Sequence, residues 1–180
     1  GARVNILDVS AQRLSYLDDV FGNSVTTLMS HDENIHNSVV ASDLLIGAVL
    51  IPGAKAPSLV TEDMVKKMKP GSVIVDVAVD QGGCVETAAP TSHDQPVLIK
   101  HGVLHYAVPN IPGAVSHTST YALTNVTLKY ARDIARHGLE EAVRRDDALR
   151  KGVNCYRGKI THAAVAQSVG EQAIELAALV

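Results

Sequence analysis

Tryptophan is absent from this chain, phenylalanine occurs once and tyrosine five times. So few flat side chains leave little for nucleic-acid bases to stack on. Excess positive charge is missing too: the formal net charge is -3 and the pI near 6.2, which gives no electrostatic reason to expect nucleic acid. Cysteine is scarce. Cys84 and Cys155 form no C-x-x-C pair, so they read as reduced thiols of a cytoplasmic protein. No apolar run approaches the ~20 residues that span a bilayer; the longest, Leu44 to Ile51, is interrupted by Gly47 and closed by Pro52. His93, His101, His105 and His117 cluster loosely without the spacing of a metal site, so no metal is expected. A phosphate-binding glycine loop is also lacking. The chain opens on Gly1-Ala2-Arg3-Val4, in mid-pattern, and the expectation is a truncated chain.

What is present is a foldable amount of apolar sequence. With 46% apolar residues over 180 positions, a disordered protein is excluded and a substantial core expected. Val4 to Leu7 reads as a short strand ending at Asp8, followed by a helix that Ser10 caps and Gly22 stops. Ser24 to Met29 reads as a strand, Asn34 to Ala41 as a helix, and Asp43 to Leu50 as a fully buried strand broken by Pro52-Gly53. Thr61 opens a helix with acids in its first turn and Lys66, Lys67 and Lys69 near its end. Ser72 to Val79 is the next expected core strand, and Val103 to Val108 the last. Strands alternating with helices at this spacing predict βαβ units and a parallel sheet, an α/β fold. Residues 81–100 read as a long surface excursion.

From Ser116 the pattern turns helical, with Leu123, Val126, Tyr130 and Ile134 on one face and His137-Gly138 as a stop. A second helix from Leu139 to about Leu149 is expected to carry Glu140–Arg144 and Glu141–Arg145 pairs, and Ala163 to Val169 another.

Chemistry concentrates at Asp80, where Ile74-Val75-Asp76-Val77-Ala78-Val79 runs into Asp80-Gln81-Gly82-Gly83-Cys84. Open parallel sheets bind ligands beyond the carboxyl ends of their strands, and paired glycines let backbone approach a ligand closely. A carboxylate there can face a cofactor; equally, it can be a turn aspartate before two glycines.

Several blocks occur together in order: Ala2 to Asp8, Ile46 to Pro57, Met68 to Asp76, Asp80 to Cys84, Thr91 to Asp94 and Thr118 to Asn125. In these blocks the chain resembles the C-terminal half of alanine dehydrogenase, over nearly its whole length and fading past about Arg150. The resemblance implies a partial Rossmann-type, doubly wound parallel sheet in residues 1–112. Residues 113–180 would then be C-terminal helices belonging to a second, catalytic domain. It further implies oxidation of L-alanine with NAD and water to pyruvate and ammonium, reversibly, in a cytoplasmic homo-oligomer, commonly a hexamer. The partner would be the N-terminal half of the same enzyme, carrying the catalytic histidine and the substrate clamps.

The same resemblance assigns site residues. Asp8, by its strand-end position, either caps the next helix or accepts both ribose hydroxyls of adenosine and repels a 2′-phosphate; the resemblance makes it a cofactor residue. Arg13, solvent-exposed on pattern, would touch the same end of NAD, and Ser30, otherwise a turn residue, its adenine side. Val49, Leu50, Val77, Ala78 and Val79 read as core and, by resemblance, also edge the cofactor. Asp80 would be both cofactor-binding and catalytic, orienting a water and taking its proton. Val108, Pro109, Asn110 and Ile111 would lie against the nicotinamide ribose. Cys84 reads as a packed small residue.

Two other functions fit the pattern less well. One is the nucleotide-binding subunit of transhydrogenase, which usually carries an extra Asn within Asp-Gln-Gly-Gly-Cys; the other is a non-enzymatic nucleotide-binding or assembly module. On the leading reading the isolated chain is expected to be inactive.

Overall fold

A computed structural model of the protein describes residues 1–51 and 56–180. The Pro52-Gly53 break and Lys55 lie outside the described residues. The chain divides into two compact units, Gly1–Val49 with Ala56–Pro109, and Asn110–Val180 together with Leu50 and Ile51.

The first unit is α/β. Strand β1 (Val4–Asp8) leads into α1 (Ala11–Phe21), whose N-terminus is capped as expected: the Ser10 hydroxyl accepts the Arg13 N–H at 3.2 Å. Gly22, at φ +52°, ends the helix. Strand β2 (Val25–Met29) returns parallel to β1 in the register Val4↔Val25 to Asp8↔Met29. Helix α2 (Asp32–Ala41) starts two residues earlier than the sequence suggested, because the His31 ring accepts the Asn34 N–H and acts as its cap.

Strands β3 (Leu44–Gly47), β4 (Val73–Asp76) and β6 (Val103–Tyr106) run parallel, and with β5 (Val97–Lys100) the sheet order is β3-β4-β6-β5. Between β3 and β4 lies the short helix α3 (Glu62–Lys66), capped by Thr61. Strand β5 (Val97–Lys100) pairs antiparallel with β6 through His101 and Gly102, both at positive φ. Two consecutive left-handed residues make the tight hairpin whose twist matches the strands it joins.

The core lies beneath this sheet. Val65, Ile74 and Val103 are fully buried, each burial contributing about 1.5–3 kcal/mol. Ile35 and Val39 from α2 join them, and Leu7 of β1 and Leu45 of β3 pack against the same cluster. Strands β1 and β3 thus share a core, yet each is a terminal strand of its own sheet.

Strand β3 is not fully buried: it alternates, with Leu44 and Ile46 exposed, because it is an edge strand. Strand β4 stops at Asp76 and not Val79, since the buried Asp76 carboxylate draws the following backbone into a turn. Residues 81–100 are a surface excursion only in part, with 92–95 exposed. Gly83, Cys84, Val85 and Thr87 are buried, and β5 ends the segment.

The second unit is mainly helical. Helix α4 (Ser116–His137) ends at Gly138 as expected, but Leu123 and Val126 are exposed and only Tyr130 and Ile134 of that face are half-buried. The next helix is two: α5 (Leu139–Arg145) and α6 (Asp147–Gly152), divided at Asp146, whose carboxylate caps α6 through the Ala148 and Leu149 N–H groups. The expected i,i+4 pairs do not form. Glu140 instead accepts the Tyr156 hydroxyl and the Arg157 guanidinium, Arg144 meets Glu141, and Arg145 lies on the His137 ring. A two-stranded hairpin, β7 (Cys155–Tyr156) and β8 (Lys159–Ile160), precedes α7 (Ala163–Ser168). Among the described residues no helix is long and apolar enough to cross a membrane.

Candidate functional site

The carboxyl ends of the parallel strands in the first unit carry most of the candidate residues. Beyond β4, Val77 donates its N–H to Gly47 O at 2.8 Å, tying the end of β4 to that of β3. A 3-10 turn (Val79–Gln81) follows, and Gly82 and Gly83 at φ +94° and +73° reverse the chain. Both glycines sit where an L-residue would be strained. Within the turn Ala78 and Val79 are buried, whereas Val77 and Asp80 are exposed. Ala78 and Val79 thus belong to the core, and Val77 and Asp80 are presented outward.

The base of that turn is held by Asp76, a residue the sequence reading passed over. Its carboxylate is fully buried and accepts the N–H groups of Ala78, Cys84 and Val85 at 3.0, 3.0 and 3.2 Å. The Cys84 thiol also points to it, at 3.6 Å. Burial first, and then the neighbouring Asp76 charge, push the Cys84 thiol up to about 12, so at neutral pH it is a packed, unreactive group. The signal that could have exposed Asp76 was an acid at a core position of a strand, directly before a glycine-rich turn.

At the ends of β1 and β2 the structure brings Asp8 and Ser30 together: Ser30 donates its N–H to Asp8 O at 2.9 Å. The Asp8 Oδ1 accepts the Ser10 N–H at 2.7 Å, so part of the carboxylate orders the entry to α1. Arg13 is exposed in the first turn of α1, its guanidinium over the Tyr16 ring at 5.1 Å. His31 and Asn34 also gather here, Asn34 donating to Met29 O at 2.9 Å.

Val49 packs against the core beyond β3, and Val108 is 1% exposed beyond β6, with Pro109 at the surface. Leu50, Asn110 and Ile111 fall in the second unit. There Leu50 is exposed, Asn110 takes the left-handed conformation at φ +55°, and Ile111 opens a 3-10 turn ending at Val115. Asn is among the few residues that adopt this conformation at little cost.

Chemically, the first unit thus offers two carboxylates beyond parallel strands, one beside a serine and one on a glycine-supported turn. Residues 1–163 match the sequence model of the family described as "Alanine dehydrogenase/PNT, C-terminal domain". The chain belongs to that family. Among curated relatives it is 62% identical to alanine dehydrogenase of Methanococcus maripaludis, covering 93% of this chain and 45% of the relative. It is 60% identical to that of Bacillus subtilis, covering 94% and 45%. The chain therefore spans about half the length of the curated relatives it matches. A solved L-alanine dehydrogenase superimposes with a TM-score of 0.82 at 53% identity, over 94% of this chain and 47% of that one. A transhydrogenase from Sinorhizobium meliloti gives 0.59 at 30% identity, over 67% and 34%. The fold of this alanine dehydrogenase/PNT domain is Rossmann-type α/β, with the helices of residues 116–152 following its sheet.

Proposed function

We propose that the chain forms part of an NAD-dependent alanine dehydrogenase, which converts L-alanine and water to pyruvate and ammonium, reversibly, in the cytoplasm. Two free thiols, Cys84 and Cys155, suit that compartment. On this reading residues 1–112 are the C-terminal part of the NAD-binding domain. Residues 113–180 are a helical return to a catalytic domain that the rest of the protein completes.

The observation that carries the reading is the pair of unjoined strand edges. Strands β1 and β3 share a core but belong to separate sheets. One parallel strand between them, preceding β1 in sequence, would put the parallel strands in the order 3-2-1-4-5-6 of a dinucleotide-binding sheet, with the antiparallel β5 at its edge. That strand would bring the phosphate-binding glycine loop this chain lacks. Exposed Tyr121, Leu123, Val126 and Leu128 on α4 offer apolar surface for the rest of a homo-oligomer, a hexamer on this reading.

The residues present fit the adenosine end of NAD. A half-buried acid at a parallel strand end, with one oxygen oriented by Ser10, can accept ribose hydroxyls and repels a 2′-phosphate. Asp8, Arg13 and Ser30 would hold that end. Val49, Leu50, Val77, Ala78 and Val79 would edge the cofactor, and Val108, Pro109, Asn110 and Ile111 would lie toward its nicotinamide ribose. When bound, the cofactor supplies the hydride acceptor. Asp80 is the acid/base residue of this chain: its exposed carboxylate orients the attacking water and receives its proton.

The identity to alanine dehydrogenases favours this reading over the transhydrogenase one. The experiment is an assay of the intact protein for alanine-dependent NADH formation. Hydride exchange between two nucleotides without any alanine dependence would overturn it.

A further inference from the structure

Asp76 closes β4 with no solvent exposure. Burying a carboxylate is costly unless its lone pairs are filled. Here one loop fills them, from both sides of Asp80: the Ala78 N–H on Oδ1 at 3.0 Å, and the Cys84 and Val85 N–H groups on Oδ2 at 3.0 and 3.2 Å. The surrounding space is shaped to this arrangement. A Cβ on Gly83 would lie 2.8 Å from Asp76 Oδ2, and one on Gly47 2.4 Å from the Cys84 sulfur that also meets the carboxylate. A surface turn could close on backbone bonds alone, as the Gly83 N–H does on Ala78 O at 3.0 Å. A buried charge clasping the base of the loop adds something different, a fixed position for its exposed apex. Charge-accepting hydrogen bonds are about twice as strong as neutral ones.

We propose that Asp76 is a positioning residue: by gripping both arms of residues 77–85, it holds the Asp80 carboxylate where that group takes its proton. The proposal rests on the reading of Asp80 given above. Replacing Asp76 by Asn keeps the size but turns one acceptor into an NH2 group facing N–H donors. Backbone on one side of Asp80 then loses its anchor.

The test is a double-mutant cycle in the intact protein, with Asp76→Asn, Asp80→Asn and both together. In the wild-type background Asp76→Asn should lower kcat for alanine oxidation on the order of 10²-fold, the cost of a misplaced group, with little change in KM for NAD. In the Asp80→Asn background it should cost almost nothing more, because the two act as a unit. An equal loss in both backgrounds, or an unchanged kcat, overturns the proposal. Wild-type turnover in Asp80→Asn alone would instead remove the acid/base reading of Asp80, and the positioning role with it. Should Asp76→Asn fail to fold, Gly83→Ala disturbs the same carboxylate from the opposite side and enters the same cycle. Alkylation of Cys84 reads the clasp without any turnover: its rate should rise about tenfold or more in Asp76→Asn, as the loop loosens and the charge beside the thiol is gone. An unchanged rate overturns the clasp.

Discussion

The His105 imidazole and the Thr87 hydroxyl are hydrogen-bonded at 2.8 Å in the interior of the first unit, both residues buried. The other ring nitrogen, Nδ1, lies 3.0 Å from Val103 O, a group that can only accept. Nδ1 therefore carries the proton, and Nε2 accepts from Thr87. The pair ties the stretch after the Asp80 turn to β6.

A pH dependence follows. Burial is the main cause that holds His105 below its ordinary value of 6.5, with the Lys100 and His101 charges adding to it and the Val103 carbonyl opposing. Above about 6.5 both folded and unfolded chains carry the neutral ring, and the stabilising effect of neutrality is fully present. As pH falls below that value the unfolded chain takes up a proton that the folded chain refuses, so stability drops until the lowered folded value is reached. Thermal unfolding between pH 8 and 5 should show Tm falling on the acid side. A His105→Gln variant should show a shallower fall; an equal slope in both proteins would assign the effect to other groups.

Gly47 tests how tightly the strand ends are packed. Its added methyl would meet the Cys84 sulfur at 2.4 Å, well inside contact distance. Gly47→Ala should destabilise by about 1–3 kcal/mol, the usual cost of overpacking. Cys84→Ala removes the obstructing atom, so the double variant should recover part of the loss. Denaturant midpoints of the two single variants and the double decide it, and simple additivity would count against a direct clash.

Where the sequence was legible, the signal was local. Ser10, Gly22, Thr61 and Gly138 mark helix ends by capping chemistry that needs no tertiary partner, and each acts at an end in the structure. Where it misled, distant residues decided. Val77 to Val79 continue an apolar run, but Asp76 pulls the backbone into a turn. Strand β5 escaped notice because its hairpin uses His101, an uncommon left-handed residue, beside Gly102. Asp146 looks like one more polar helix residue, yet its carboxylate caps a new helix and splits the expected one. Of the candidate site, Asp8, Ser30 and Asp80 were legible as polar residues after apolar runs; Asp76 was not singled out, because its burial is made possible by N–H groups of Cys84 and Val85, which lie eight and nine residues further on.

Asp8 offers a test of cofactor choice in the intact protein. If its carboxylate accepts ribose hydroxyls and repels a 2′-phosphate, Asp8→Gly removes both effects. Loss of a charge-accepted hydrogen bond of about 1.5–3 kcal/mol should raise KM for NAD by roughly tenfold or more. NADP, no longer repelled, should gain in relative kcat/KM. An unchanged NAD:NADP ratio would leave Asp8 as the residue that orders the start of α1 through Ser10, and nothing more.

The two thiols should differ sharply in reactivity. Cys155 is exposed, whereas Cys84 is buried against Asp76 and pushed up to about 12. The thiolate is the reacting species and must be reached, so alkylation at neutral pH should label exposed Cys155 and leave Cys84 almost untouched in the folded protein. Denaturant frees Cys84 from both burial and the carboxylate, and it should then react like an ordinary cysteine. Peptide mass spectrometry after timed labelling reads the two sites separately. Labelling of Cys84 at a rate comparable to Cys155 in the native protein would mean that the loop opens readily, and that the Asp76 carboxylate does not keep the Asp80 turn closed.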